Sequence, residues 1–215
     1  VEQAIIGDAK LVLRQLVDEV KKQTEAGSNK RNDAVAKEIK AVKNEWLKEW
    51  MPKLTSDEVP INPYRVVWDL NKALDPKKTI MTHDAGNPRD QMAPFYESTV
   101  PGGYIGWGKS TTLGSSLGFA MGAKLAEPDK TAVFFTGDGA FGMVGMDFET
   151  AAREKIPVLG VMINNSRLGN YSRHNPVASE RYNLDVLSGD YAKVCEGLGG
   201  YTEKVVQPKD IVPAI

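Results

Sequence analysis

The stretch Ala132–Asn165, AVFFTGDGAFGMVGMDFETAAREKIPVLGVMINN, decides the fold class. It opens on the apolar run Ala132-Val133-Phe134-Phe135-Thr136, breaks at Gly137-Asp138-Gly139 and takes on helical spacing over Asp147–Glu154. It closes on a second apolar run, Pro157–Ile163, followed by Asn164-Asn165. Two continuous apolar runs joined by a helix read as a βαβ unit, whose parallel strands are buried on both faces. A crossover of this kind brings both loops that follow the strands to one edge of the sheet. Gly137-Asp138-Gly139 and Asn164-Asn165 are therefore expected side by side, on neighbouring or near-neighbouring strands.

The alternation continues outward in both directions. Asn62-Pro63 is an N-cap with proline in the first turn, opening a helix that carries Val66, Val67, Leu70 and Leu74. Thr79–Thr82 reads as a strand, Leu113–Leu125 as a helix rich in small residues, Tyr191–Leu198 as a helix, Thr202–Val206 as a strand, and a last helix starts at Pro208. The pattern predicts an α/β domain, a doubly wound parallel sheet with helices on both faces. Ahead of it, Ala4-Ile5-Ile6-Gly7-Asp8 reads as a strand and turn, and Leu11, Leu13, Leu16, Val17 and Val20 as a helix. After the loop signal Gly27-Ser28-Asn29, one face of an amphipathic helix carries Val35, Ile39, Val42, Trp46 and Trp50. One strand and one helix cannot enclose a core. The expected organisation is a partial domain tail over 1–23, a connector over 24–60 and a C-terminal domain over 61–215, in a chain that is a fragment at both ends.

Composition narrows the partners. The chain has 215 residues, 41% hydrophobic and 26% charged, which is ordinary for a globular protein with a proper core. Its 27 Lys and Arg against 28 Asp and Glu leave a net charge of -1, so no broad basic field draws it to nucleic acid or an anionic membrane. No run approaches the roughly 18 apolar residues that span a bilayer. The single cysteine, Cys195, fits a reducing, cytoplasmic setting and is expected in the core.

Ligands of doubly wound sheets bind beyond the carboxyl ends of the strands. The loops there are His83-Asp84-Ala85-Gly86-Asn87, Gly137–Gly142 and Asn164–Asn170. They combine a carboxylate, amide oxygens and glycines that admit a ligand to backbone N–H groups, which suits a metal-bridged phosphate. Asp138 and Asn165 can give a Mg²⁺ ion two side-chain oxygens and a backbone carbonyl after Asn165 a third. Each motif alone is an ordinary turn; each following an apolar strand and separated by one β-α-β step, they form a constellation. His83 adjoins the first loop, and Arg167, Arg173 and His174 follow Asn165, where they can meet an acidic substrate.

One rival pattern is present. Gly103–Ser110 fits the phosphate-binding loop G-x-x-x-x-G-K-[ST], which would make a nucleotide hydrolase. That motif needs a strand directly before its first glycine, and Ser98–Gly102 is short and broken by Pro101; the reading also leaves Asn164-Asn165 unexplained. A calcium loop over Asp138–Glu149 fails because Ala140 and Gly142 occupy ligand positions and Met143 the glycine position. A third alternative is a non-catalytic relic of the fold.

The stretch GDGAFGMVGMDFETAAREKIPVLGVMINN resembles the signature of the thiamine-diphosphate-dependent enzymes, Gly-Asp-Gly followed by a helix, a strand and Asn-Asn. The likeness is to the acetolactate synthase and 2-oxo-acid decarboxylase group; GWGKSTTLGSSLGFAMGAKLA resembles that group's segment before its central helix, and AIIGDAKLVLRQL the end of its middle domain. The resemblance implies thiamine diphosphate and Mg²⁺ as cofactors, with the metal on the Asp138 and Asn165 side chains and the Arg167 carbonyl. It implies that Ala85, Gly86, Asn87, Thr111, Gly137, Gly139, Ala140, Phe141, Gly169 and Asn170 surround the cofactor, and that Leu113 is the bulky residue that bends it. Thr111-Thr112 and Asn170 depart from the family's usual residues. The group's chemistry is decarboxylation of a 2-oxo acid or its ligation to a second carbonyl, as a lyase or transferase. The family's catalytic glutamate lies on a domain that this chain lacks. The resemblance implies a homodimeric or homotetrameric full-length protein, in which FAD is possible, and a fragment inactive alone.

Overall fold

A computed structural model describes residues 3–25, 33–106, 112–169 and 171–215. The chain divides into two compact units, one up to Glu49 and one over Trp50–Ile215. In the first, α1 spans Ala9–Glu25, and the Asp8 carboxylate accepts a hydrogen bond from the Leu11 N–H at 2.9 Å, satisfying an amide of its first turn. Its apolar positions Leu13, Leu16 and Val20 stay exposed. The strand expected at Ala4–Ile6 does not form. Those residues are exposed, Ile6 fully so, and a strand needs a neighbour to take its backbone hydrogen bonds. Helix α2, Asp33–Leu54, runs across the division between the units.

The second unit is built on β1 (Thr79–His83), β2 (Tyr104–Ile105), β3 (Thr131–Gly137) and β4 (Val158–Ile163). They form one four-stranded sheet in the order β2-β1-β3-β4, every pair parallel. Between them run α3 (Pro63–Ala73), α4 (Asn87–Phe95), α5 (Ser115–Ala126), α6 (Asp138–Val144), α7 (Asp147–Arg153), α8 (Tyr171–His174), α9 (Pro176–Tyr182), α10 (Tyr191–Gly197) and α11 (Ile211–Ala214). As expected, the Asn62 side chain caps α3, accepting from the Tyr64 N–H, with Pro63 at its start.

Side chains alternate across a strand, and here both faces are covered. On one face Ile80, Ala132 and Phe134 pack with Leu117, Ala120 and Ala123 of α5, Phe141 of α6 and Cys195 of α10. The alternate residues Met81, Val133 and Phe135 are fully buried on the other face, where α4 contacts β1 and β3. Burial pushes the Cys195 thiol up, away from the reactive thiolate, which agrees with its expected core role. The doubly wound α/β reading is thus correct, with one exception. The segment Thr202–Val206 is no strand: no ladder partner reaches it among the described residues, and the Thr202 hydroxyl bonds Glu196 instead.

The strand order positions the site. From β1 the chain goes outward to β2, then returns to the other side of β1 to lay down β3 and β4. The connections leaving β1 and β3 therefore diverge, and a crevice opens between their carboxyl ends. His83 pairs with Phe135 and Gly137 with Ile163, so the three loops of interest leave the sheet at nearly one level.

Candidate functional site

The end of β1 is held rigidly. Asp84 is 1% exposed; its Oδ1 accepts from the Ser116 N–H at 3.1 Å, and its Oδ2 from the hydroxyls of Ser116 and Thr136, each at 2.6 Å. The Thr82 hydroxyl donates to the Ser116 carbonyl at 2.8 Å. These bonds pin the start of α5 to β1 and β3 and so fix Leu113, just ahead of it. The chain then turns through Gly86 at φ 76°, ψ -143°, a conformation almost closed to other residues, and enters α4.

The end of β3 is built differently. Asp138 is 3% exposed and opens α6; its Oδ1 accepts the Gly139 N–H at 2.9 Å, while its Oδ2 is buried and has no hydrogen-bond partner among the described residues. A carboxylate oxygen out of water and without a partner is costly, and a cation is the natural remedy. Burial first, and the Asp138 charge second, push the Tyr191 phenol up. At the end of β4, the Asn165 amide oxygen accepts the Arg167 N–H at 3.1 Å, and the Asn164 oxygen accepts the Ser166 N–H at 3.0 Å.

These ends enclose one cleft of about 620 Å³. Ala85, Gly86 and Asn87 line it from β1, Gly137, Asp138, Gly139 and Ala140 from β3, and Asn165, Arg167 and Gly169 from beyond β4. Leu113 lines it as well. The glycines make this approach possible: a Cβ on Gly139 would stand 2.6 Å from Leu168 Cδ2, and one on Gly169 would stand 3.2 Å from Asn87 Nδ2. Phe141 points elsewhere: its ring is in the core, edge-on to Tyr191 at 6.0 Å. Thr111 and Asn170 lie outside the described residues.

Sequence reasoning missed part of the lining. Pro88, Arg89, Asp90 and Gln91 of α4 and Tyr171 of α8 border the cleft, as does His174. Only His174 carried a prior signal, its place after Asn165; the α4 residues enter because α4 begins directly after Gly86, where Pro88 was the one available hint, and Tyr171 because it opens α8 beyond the β4 loop. His83 is buried against the Tyr104 ring, 5.3 Å between centroids, and is not part of this lining. The rival phosphate-loop pattern has residues 107–110 outside the described set; within its described part β2 runs through Tyr104–Ile105, inside the motif rather than before it.

A carboxylate with one free oxygen, an amide oxygen and a main-chain carbonyl, next to glycine-lined backbone, match the donor set of a hard cation bridging an anion. The fold and this cleft define a cofactor-binding domain of the doubly wound class. Residues 84–215 match the family described as thiamine pyrophosphate enzyme, C-terminal TPP binding domain, and the chain belongs to that family. It is 30% identical to a probable acetolactate synthase large subunit of Methanococcus aeolicus over 224 aligned residues, covering 100% of this chain and 37% of that protein. It is 33% identical to an acetolactate synthase large subunit of Mycobacterium tuberculosis over 166 residues, covering 76% of this chain and 30% of that protein. Among solved structures it is similar to the thiamine diphosphate-dependent 4-hydroxybenzoylformate decarboxylase of Rhodococcus jostii RHA1, with TM-score 0.62 and 25% identity over 72% of this chain and 29% of that one. The chain thus spans about a third of the length of the relatives it matches.

Proposed function

We propose that this chain is the diphosphate- and metal-binding half of the active site of a thiamine-diphosphate- and Mg²⁺-dependent enzyme acting on a 2-oxo acid, of acetolactate synthase type. The buried, unpartnered Oδ2 of Asp138 in a glycine-lined cleft carries this reading. In it, the Asp138 and Asn165 side chains and the Arg167 carbonyl hold Mg²⁺. Backbone around Gly86, Asn87, Gly139, Ala140 and Gly169 takes the diphosphate. Thr111 and Asn170 are assigned to the cofactor's surroundings from the resemblance alone, and Phe141 through its main chain.

When bound, the cofactor supplies a carbon nucleophile and an electron sink for decarboxylation or carboligation. The protein's own contribution is orientation. Leu113, held in place by the Asp84 to Ser116 bonds, presents an apolar side chain to the cleft and, on this reading, would support the bent form of the cofactor. Asp138 and Asn165 would hold the metal and, through it, the diphosphate end, and so would orient the cofactor within the cleft. His174 and Arg89 border the cleft where an acidic substrate can be met.

The same reading assigns 1–23 to the tail of a middle domain, 24–60 to a connector and 61–215 to the cofactor domain of a longer cytoplasmic polypeptide. That polypeptide works as a homodimer or homotetramer, with the proton-handling glutamate outside this chain. Calorimetric titration of that polypeptide with thiamine diphosphate, with and without Mg²⁺, tests the proposal, together with CO₂ release from pyruvate and other 2-oxo acids. Saturable, Mg²⁺-dependent binding that Asp138→Ala abolishes is the expected result. Mg²⁺-independent binding, or none, overturns it.

A further inference from the structure

The loop that follows β4 is gripped from outside by a segment that belongs to neither motif. Residues 183–187 come back alongside 166–168, where Arg167 and Val186 form an antiparallel bridge. The Leu168 N–H donates to the Asp185 carbonyl and the Leu187 N–H to the Ser166 carbonyl, each at 2.9 Å. Asp185 adds a side-chain bond: its carboxylate accepts from Arg167 Nη1 at 3.3 Å. The Asp185 side chain is 7% exposed and that of Arg167 is 62% exposed. A carboxylate so far from water needs its partner, and Arg167 Nη1 reaches it while most of the arginine side chain stays in solvent. On the inner side, Leu168 and Leu187 close over Gly139, whose Cβ would lie 2.6 and 3.6 Å from them.

We propose that Asp185 is a positioning residue of the cation site: through Arg167 it fixes the loop so that the Arg167 carbonyl and the Asn165 amide stay aimed at the cation shared with Asp138. This rests on the reading that those three groups hold Mg²⁺. Mg²⁺ demands near-octahedral oxygens at about 2.0–2.1 Å, so a main-chain carbonyl that swings loses most of its worth as a ligand. Gly86 and the start of α4 are held from β1, outside the stretch that Asp185 grips. Loosening it therefore raises the Mg²⁺ requirement while leaving cofactor binding at saturating Mg²⁺ largely intact.

The test measures, in the complete polypeptide, the Mg²⁺ concentration that half-saturates thiamine diphosphate binding, together with the thermal midpoint without ligands. Asp185→Ala and Arg167→Ala are each expected to raise that concentration by about 10- to 100-fold. Asp185→Asn, which keeps an acceptor for the guanidinium, falls between them and the parent. The double variant is no worse than the worse single, because each change already removes the other's partner. If Asp185→Ala does not fold, Arg167→Ala, altering a mostly exposed side chain, decides alone. An unchanged Mg²⁺ requirement in Arg167→Ala, or losses that multiply in the double variant, overturn the positioning role while the cofactor reading stands. A parent protein that binds no thiamine diphosphate with Mg²⁺ overturns that reading and this proposal with it.

Discussion

Two aspartates directly follow adjacent parallel strands, Asp84 after β1 and Asp138 after β3, and are buried almost equally, at 1% and 3% exposure. Asp84 is saturated, with the Ser116 N–H and the hydroxyls of Ser116 and Thr136 on its two oxygens. Asp138 satisfies one oxygen with the Gly139 N–H and leaves the other without a partner. Burial alone therefore does not separate a structural carboxylate from a ligand-seeking one. What separates them is whether the fold completes the hydrogen bonding by itself.

The largest expected effect is on the saturated side. Asp84→Ala leaves an amide and two hydroxyls in the interior without their acceptor, and the cost is expected at about 3 kcal/mol or more. Chemical denaturation without ligands measures it. Asp138→Ala is the contrasting case, since it removes an oxygen that has no partner along with a single bond to Gly139; unliganded stability is expected to shift by no more than about 1 kcal/mol. Its signature lies elsewhere: the stabilisation that Mg²⁺ and thiamine diphosphate confer, about 2.7 kcal/mol at a hundredfold excess over Kd, disappears. If the two variants are equally destabilised without ligands and equally responsive to them, the distinction between the two aspartates is broken.

A smaller effect tests the backbone at the β1 end. Gly86 has φ 76° and ψ -143°, and nothing lies within 4 Å of where its Cβ would be. Gly86→Ala therefore has a purely conformational cost, on the order of 1–2 kcal/mol, and relaxing that strain is expected to shift the start of α4, which lines the cleft. Weaker thiamine diphosphate binding at saturating Mg²⁺ is the expected outcome, opposite to the Mg²⁺-specific loss expected at the β4 end. Calorimetry at two Mg²⁺ concentrations separates them.

The same contrast explains what could be read in the sequence. The strands β3 and β4 are nearly continuous apolar runs and β1 is a short run around Ile80-Met81, and the loops after them carry glycine, carboxylate and amide together, so sheet and cleft were both visible. Strand β2 is two residues long, too short for any period. Helix α6 starts at Asp138 and contains Gly139 and Gly142, residues that disfavour helix by about 1 kcal/mol each, so its helicity is imposed by packing of Ala140 and Phe141. The runs at Ala4–Ile6 and Thr202–Val206 have strand-like composition but no ladder partner among the described residues, and pairing is a tertiary property. Asp185 gives no local signal, because its role depends on Arg167, 18 residues away.

The smallest effect belongs to a second orphaned oxygen, and it sharpens what is special about Asp138. The Tyr104 hydroxyl, on β2, is also buried without a hydrogen-bond partner among the described residues, and its ring contacts those of His83 and Tyr96. A phenol out of water stays neutral: burial, then the neighbouring Tyr96, pushes Tyr104 up to about 12 from the ordinary value near 10. The unfolded chain releases this proton near pH 10 while the folded chain keeps it to about 12, so between those values the unfolded state binds fewer protons and stability falls as pH rises. Tyr104→Phe deletes only the unpartnered oxygen. At pH 7 it is expected to change stability by less than about 0.5 kcal/mol, and above pH 10 to flatten the decline, with Tyr96, itself pushed up by burial, retaining its share. Urea denaturation at pH 7 and at pH 10.5 reads both. A Tyr104→Phe variant that lost Mg²⁺-dependent cofactor binding would show that the Tyr104 and Asp138 oxygens serve one site.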